Sequence, residues 1–315
     1  MRYRRVSPVH ILAMVIMMLS LNIPESHSQS TCDVAVSITP AKSMYLKNEP
    51  IRLVLQYLNR GLTECQISME KPSFYGGLQF KDLSNNLAKR KEVSDSGVGL
   101  VKLIAPGDKW TIPIFLQTYF VSPPVGAYTI QFQMTVYCKD GQSPLSSGNF
   151  SFHVLPSEPQ QIRNVIQTYD RALSGPERQS AVEALVGMDT PLVIPELERL
   201  IVIGNAQEGF RALAKFQESS EARQSIQDFL SSKNPHYQAA ALDVISEWRQ
   251  PLDESQLEEL ARSPDRIVKL AIIHYVGAIG QSRYQPSIEK LANDKDKYVA
   301  QQAQRVAKGL ANQSH

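Results

Sequence analysis

The C-terminal half of the chain carries a helical pattern of apolar residues whose starting points are spaced 29 or 31 residues apart. Five segments superimpose, and in each the first, fifth, eighth and ninth positions are mostly apolar. The segments are 177–185, 206–214, 237–245, 268–276 and 299–307. Apolar residues at this spacing occupy one face of a helix. Self-similarity at a fixed period indicates a stack of equivalent units, each burying its apolar face against its neighbours.

A second helix is predicted in each unit, because a further set of apolar residues keeps the same spacing. The set comprises Leu197, Ile226, Leu257 and Ile288, with Leu200, Phe229, Leu260 and Leu291 three residues later. Each unit is therefore a predicted helical hairpin. Asn234, Asp265 and Asp296 precede the next first helix, where a short polar side chain accepts hydrogen bonds from unpaired backbone N–H groups.

These features resemble HEAT repeats, in particular the short bacterial kind. The resemblance rests on the spacing, on the Asn or Asp before each first helix, and on stretches such as SPDRIVKLAIIHYVGAIG and DKYVAQQAQRVAKGL, and it covers roughly residues 176–310. It implies an α-solenoid whose second helices line the concave side that meets a partner. The family's basic residue after the first valine is matched by Lys269, whereas Gln238 and Ala300 stand at the equivalent places.

The first 28 residues have the pattern of a secretory signal. Three arginines precede an apolar run over residues 11–23, and Ser26-His27-Ser28 is a plausible cleavage site. The predicted mature chain begins near Gln29, and its expected location is the periplasm or the extracellular space. Retention as an uncleaved anchor is the alternative. No later stretch approaches the roughly 18 apolar residues of a membrane-spanning helix.

The charge balance of the predicted mature chain argues against nucleic acid as a partner. The full chain has 33 basic and 31 acidic residues. The signal contains three arginines and Glu25, so its removal leaves 30 and 30. A neutral balance supplies no global field to attract nucleic acid or an anionic membrane.

Residues 29–155 have a different pattern, in which short alternating runs are separated by turn residues. About seven such runs, including IRLVLQYLN and YTIQFQMTVYC, predict an antiparallel β-sandwich. The arrangement resembles the immunoglobulin-like modules of secreted bacterial proteins. Pro156 and Pro159 mark a predicted linker over residues 156–160, and the HEAT-like solenoid follows over residues 161–312. The predicted fold class is therefore α+β multidomain.

Three cysteines lie in the predicted mature chain, namely Cys32, Cys65 and Cys138. An exported chain matures in an oxidising compartment, so one disulfide is expected. We favour Cys65 with Cys138, because both stand at the margins of predicted strands, although all three pairings remain open.

Catalytic and metal-binding motifs are absent from the sequence: it contains no Gly-x-Ser-x-Gly elbow, His-Glu-x-x-His, Cys-x-x-Cys or Walker loop. His274 occupies a repeat position equivalent to Asp243 and Arg305, which predicts a solvated surface residue. We therefore expect no cofactor, no metal and no enzymatic activity.

The repeat register aligns a mildly acidic row on successive second helices, formed by Glu198, Gln227, Glu258 and Glu289. One interpretation is a groove for a polar or basic polypeptide segment. The other is an ordinary solvated helix face, where Glu and Gln are common.

The predicted function is that of an exported, non-catalytic scaffold or adaptor that binds another protein through the solenoid surface. A curved stack of hairpins offers a long surface and little enclosed volume. One alternative places function in the β-sandwich, as a proteinase inhibitor or envelope adhesion module with the solenoid as spacer. Another is a lyase-like factor, because some short HEAT-like repeats resemble those of chromophore-attaching lyases. Partner identity and oligomeric state stay open.

Overall fold

The computed structural model describes residues 33–69, 78–82, 84, 86–89, 100–138, 141–146 and 150–313. The predicted signal, residues 1–28, and Cys32 lie outside the described residues. The described chain forms an N-terminal β region with antiparallel sheets and a C-terminal helical region.

Ten strands form the β region along the described residues. They are β1 Val34–Pro40, β2 Met44–Leu46, β3 Arg52–Asn59, β4 Cys65–Met69, β5 Leu78–Asp82, β6 Leu100–Ile104, β7 Lys109–Phe115, β8 Gly126–Cys138, β9 Gly141–Ser146 and β10 Phe150–Leu155. One sheet has the order β1-β3-β7, and a second has the order β2-β10-β8-β5 with β9 paired to β8. β4 and β6 form a third pair. All pairings are antiparallel except that of β2 with β10.

Side chains from all three sheets share one hydrophobic core. Strand β3 illustrates why, since Leu53, Leu55 and Tyr57 alternate with half-buried residues and are fully buried. They pack in one cluster with residues such as Ile67 of β4 and Phe152 of β10. The predicted apolar face of this strand is confirmed.

Ten α-helices follow in the described chain. They are α1 Pro159–Ala172, α2 Arg178–Gly187, α3 Ile194–Val202, α4 Ala206–Leu213, α5 Ser220–Leu230, α6 Pro235–Glu247, α7 Glu254–Ala261, α8 Arg266–Ile279, α9 Gln285–Leu291 and α10 Lys297–Gln313. We call α2, α4, α6, α8 and α10 the first helices, and α3, α5, α7 and α9 the second helices. Each first helix packs against the next first helix along the chain.

The predicted helix pattern is confirmed by burial and by capping. Leu197, Ile226, Leu257 and Ile288 are fully buried on successive second helices. Asn234 accepts a hydrogen bond from the backbone N–H of His236 at 3.0 Å, Asp265 from that of Ile267 at 2.8 Å, and Asp296 from that of Tyr298 at 2.9 Å. These side chains satisfy backbone donors at the starts of α6, α8 and α10.

The junction between the two regions is short. Strand β10 ends at Leu155 and α1 begins at Pro159, so the helix takes in the last two residues of the predicted linker. Proline is favoured in the first helical turn, where its missing N–H costs nothing. Gln161 closes a capping box by accepting a hydrogen bond from the N–H of Glu158 at 2.8 Å.

The β region packs directly against the first helices of the helical region. The rings of Phe115 at the end of β7 and Tyr169 of α1 meet edge to face, with centroids 6.1 Å apart. The Ser122 hydroxyl donates to Oδ2 of Asp189 at 2.7 Å. The N-terminal end of the helical stack is therefore covered by β7 and the loops beside it as well as by α1.

Candidate protein-binding surface

The four residues of the predicted acidic row lie at equivalent places on α3, α5, α7 and α9. Glu198 and Gln227 are half-buried, whereas Glu258 and Glu289 are exposed. We call the side of the second helices that carries these four residues the second-helix surface. Its two ends differ in how much side chain they present to solvent.

Glu198 and Gln227 hold successive second helices together. The Ser225 hydroxyl of α5 donates to Oε1 of Glu198 on α3. The Gln256 amide of α7 donates to Oε1 of Gln227 on α5 at 3.0 Å. The polar row thus has a structural role at its N-terminal end, where its acceptors are already occupied by neighbouring helices.

Sequence reasoning missed the donors of these bonds. Ser225 and Gln256 are 31 residues apart, and Ser287 follows after another 31. Ser225 and Ser287 are buried polar residues. The shared spacing was the signal that could have identified this second polar row, whose first two members donate to the preceding second helix.

Glu258 contacts the residue that follows its helix, and Glu289 contacts a residue of its own helix. Oε2 of Glu258 lies 3.6 Å from Nη2 of Arg262, and both side chains are more than half exposed. Oε1 of Glu289 accepts from the Gln285 amide at 2.8 Å. Exposed pairs of this kind contribute little to stability, so these carboxylates remain available to an incoming cation.

The two sets of helices differ in charge. The second helices contain eight acidic and three basic residues. The first helices contain four acidic and seven basic residues. The side built from second helices is therefore net acidic, and that built from first helices is net basic.

Glu196 is an unusual carboxylate beside this surface. Its Oε2 is buried and has no hydrogen-bond partner among the described residues. Burial raises the pKa of Glu196 above its ordinary value, and the nearby charge of Asp170 raises it further. The ion pair between Arg199 and Asp170 lies one turn away on the exposed side.

Other predicted positions lie apart from the second-helix surface. His274 is exposed on α8, with its Nδ1 3.4 Å from Oδ1 of Asp243. Cys65 is buried in β4, which contacts β8, the strand that ends at Cys138. The Cys65–Cys138 disulfide stays a prediction.

Within the described residues, His, Cys, Asp and Glu form no group of three or more that is positioned to hold a metal ion. Over the same part of the chain, each helix is too short or too polar to cross a membrane.

Comparison with known proteins bears on the helical region. Residues 224–308 match the family model for HEAT repeats. The match runs from α5 into α10 and includes Gln227, Glu258 and Glu289. HEAT repeats are helical repeats that mediate protein interaction. No curated protein matches the chain.

Several solved structures are similar to parts of the chain. The CARDB domain of a Pyrococcus furiosus protein, in complex with di-metal ions, is 12% identical, covers 40% of this chain and 96% of its own, and has a TM-score of 0.24. An engineered protein is 18% identical, covers 50% of this chain and 87% of its own, and has a TM-score of 0.30. A type I cohesin of Pseudobacteroides cellulosolvens is 10% identical, covers 40% of this chain and 95% of its own, and has a TM-score of 0.20. These TM-scores are too low to assign a fold.

Proposed function

We propose that this protein is an exported, non-catalytic adaptor in which an immunoglobulin-like β-sandwich carries a HEAT-like α-solenoid. The solenoid binds another polypeptide through the second-helix surface. The observation that carries the proposal is the register of the second helices, which are joined side by side through Ser225 and Glu198 and through Gln256 and Gln227. A row of helices in register offers an extended surface of the kind that suits a polypeptide partner.

The partner's chemistry follows from charge. The second helices carry an excess of five acidic residues, and the exposed Glu258 and Glu289 stand at equivalent places on neighbouring hairpins. Complementary charge steers association and fixes register. The fitting partner is therefore a basic segment whose Lys or Arg side chains meet successive carboxylates.

The β region serves as a fixed platform for the helices in this proposal. Phe115 and Ser122 bind it to α1 and to Asp189 after α2. A platform that packs on the end of the stack orients the second-helix surface relative to the rest of the exported protein.

Expression with a C-terminal reporter and fractionation of the cells would test the export step.

The binding step is tested by capturing partners from the native envelope and secreted fractions with the chain from Gln29 onward. A variant with Glu258→Lys and Glu289→Lys should lose the captured polypeptide, because both changes place a cation against a basic partner. The captured polypeptide is then titrated against each purified protein. We expect the variant to bind at least about tenfold more weakly, since several charge contacts are reversed together.

A matched control changes the charge by the same amount on the first helices. Glu208 and Glu247 are exposed on α4 and α6, so Glu208→Lys with Glu247→Lys should leave binding within about twofold. Equal binding by the second-helix variant and the wild type would remove the second-helix surface from the proposal. Equal losses in both variants would reduce the interaction to general electrostatics.

A second candidate function is supported by an apolar surface on the β region. A groove of about 240 Å³ is lined by Leu87 and Val121 together with Pro123 and Pro124. Leu87 is 65% exposed and Val121 is 43% exposed. Inhibition of a protease panel or adhesion to envelope material that is lost in Leu87→Asp with Val121→Asp, but kept in Glu258→Lys with Glu289→Lys, would favour this candidate.

A further inference from the structure

A groove between α8 and α10 lies on the side of the helical region opposite in charge to the second-helix surface. It has a volume of about 400 Å³, and most of its lining is apolar, including Leu270 and Ile273 of α8 and Val306 of α10. Leu270 and Val306 are half-buried, whereas Ile273 is only 4% exposed, so the first two provide the accessible aliphatic surface of the groove. An apolar groove at the end of a helical stack is a surface on which another helix can pack.

The shape of the groove suits close approach by a helix backbone. Gly277 and Ala278 are exposed in its wall. Small residues allow two helices to approach closely, because no long side chain separates their backbones. A Cβ added at Gly277 would meet only the Val306 side chain, at 3.4 Å. The open space above Gly277 is therefore sufficient for an apolar side chain from a partner.

Tyr298 provides an aromatic anchor at one end of the groove. Its side chain is 48% exposed. The Arg266 guanidinium stacks over the ring, with its central carbon 4.9 Å from the centroid, and its Nε lies 3.4 Å from Oδ2 of Asp296. Cation–π contact restricts the ring's orientation, and an aromatic side chain held in place contributes strongly to binding.

The charge around the groove is basic. Along residues 266–279 and 297–313 there are five basic residues and no Asp or Glu. Lys269 points inward to Asp294, which leaves Arg266, Lys297, Arg305 and Lys308 exposed. The neighbouring helix α6 carries two acids, of which Asp243 faces His274 and Glu247 is exposed.

We propose that the α8–α10 groove binds an amphipathic helix with acidic flanks, contributed by a partner polypeptide. The apolar face of that helix lies on Leu270 and Val306, with its backbone over Gly277. Its carboxylates meet the exposed basic residues of the two helices. Recognition of an amphipathic helix by an apolar groove depends on anchors about one turn apart. The site uses different helices from the second-helix surface, so each can fail without the other.

The proposal is tested with a fluorescein-labelled peptide of about fourteen residues, the length of α8. Leucines at i, i+4, i+7 and i+11 form its apolar face, and glutamates fill most other positions. Fluorescence anisotropy is measured against the chain from Gln29 onward. Saturable binding that weakens as salt increases is expected. A peptide with lysine in place of glutamate should bind at least about tenfold more weakly, because like charges then face each other.

Two variants test whether the peptide binds in the groove. Gly277→Leu fills the space over the groove wall and should weaken binding at least about tenfold, and Tyr298→Ala should weaken it by a similar factor. Gly309→Leu is the matched control. Gly309 is exposed on α10, is not part of the lining, and has no atom within 4 Å of an added Cβ. It should bind within about twofold of the wild type.

Three results would overturn the proposal. They are no saturable binding up to about 1 mM peptide, equal binding by Gly277→Leu and the wild type, and equal binding of the lysine and glutamate peptides. A fourth arm uses vesicles of phosphatidylglycerol and phosphatidylcholine. Co-sedimentation that Gly277→Leu abolishes and that the peptide does not compete would assign the groove to an anionic lipid surface, and would also overturn the proposal.

Discussion

Nζ of Lys269 lies 2.6 Å from Oδ2 of Asp294, and 11% of each side chain is exposed. The pair joins α8 to the turn that precedes α10. Oδ1 of Asp294 also accepts from the N–H of Asp296 at 2.8 Å, and Asp296 caps α10. One buried ammonium therefore fixes the position at which the last first helix begins.

Lys269→Met should destabilise the protein by about 3 kcal/mol, because removal of one partner leaves a buried carboxylate without its counterion. Urea unfolding followed by circular dichroism measures the change. Arg262→Met is the control, since its pair with Glu258 is exposed and should contribute less than about 1 kcal/mol. Similar losses in the two variants would show that burial of the Lys269 pair does not strengthen it.

The same pair predicts a dependence on pH. The hydrogen bond from Lys269 is the main cause that lowers the pKa of Asp294 below its ordinary value, and the N–H of Asp296 lowers it further. A carboxyl with a lowered folded-state pKa contributes stability above its unfolded pKa of about 3.9, and that stability is lost as pH falls through the folded value. The stability difference between wild type and Lys269→Met should therefore be full at pH 7 and shrink below about pH 4. A difference that is constant from pH 7 to pH 3 would contradict this origin.

The repeat period predicted much of the helical region because the spacing of apolar residues within each helix determines which face is buried. Leu197, Ile226, Leu257 and Ile288 are buried where the period places them. The period does not define how far each helix is rotated towards its neighbour. Glu198 was expected on an open surface and instead accepts from Ser225, because its position on the helix edge brings it within reach of the next second helix.

The sequence pattern also predicted only some of the strands of the β region. Alternation identified the strands that place one face in the core, such as β3. It missed β2, β4 and β9, which have three, five and six residues. β2 is too short for an alternation to be recognised, and β9 contains Gly141 and Pro144, which are disfavoured in strands. The three strands are held by pairing with β10, β6 and β8. The contact of Phe115 with Tyr169 also escaped prediction, because packing between regions leaves no periodic signal.

Two glycines of the helical region should respond in opposite ways to the same change. A Cβ at Gly209 would lie 2.5 Å from Cγ1 of Ile201 and 3.0 Å from the carbonyl oxygen of Leu197. Ile201 is fully buried, so Gly209→Ala should cost about 2 kcal/mol through overpacking. Gly277→Ala should instead stabilise by up to about 1 kcal/mol, because it meets only Val306 at 3.4 Å and alanine favours the helix. Urea midpoints that shift in the same direction would contradict the difference in packing.

Gln117 connects two backbone groups in the core of the β region. Its Oε1 accepts from the N–H of Ile51, and its Nε2 donates to the carbonyl of Glu49, both at 2.8 Å. Gln117→Leu leaves both backbone groups buried and unpaired, so we expect a loss of about 2 kcal/mol or more. The control is Gln56→Leu, because Gln56 is half-buried and its side chain makes a long, 3.5 Å contact with Thr111. A thermal unfolding midpoint that falls equally in both variants would argue against the backbone bridge.

Glu196 should oppose folding at neutral pH. Burial raises its pKa, and Asp170 raises it further, so the folded state holds this proton more tightly than the unfolded state. The ionised carboxylate is fully hydrated only in the unfolded state. The free energy of unfolding therefore falls as pH rises from the unfolded pKa of about 4.3 to the higher folded pKa. Glu196→Gln should therefore raise the free energy of unfolding at pH 7, measured in urea, by less than about 1 kcal/mol after solvent screening. Near pH 4 the change should be small. Glu198→Gln serves as the comparison, because Glu198 is bonded to Ser225 and should gain nothing from losing its charge. A Glu196→Gln protein that is less stable than wild type at pH 7 would show that the carboxylate is compensated by its surroundings.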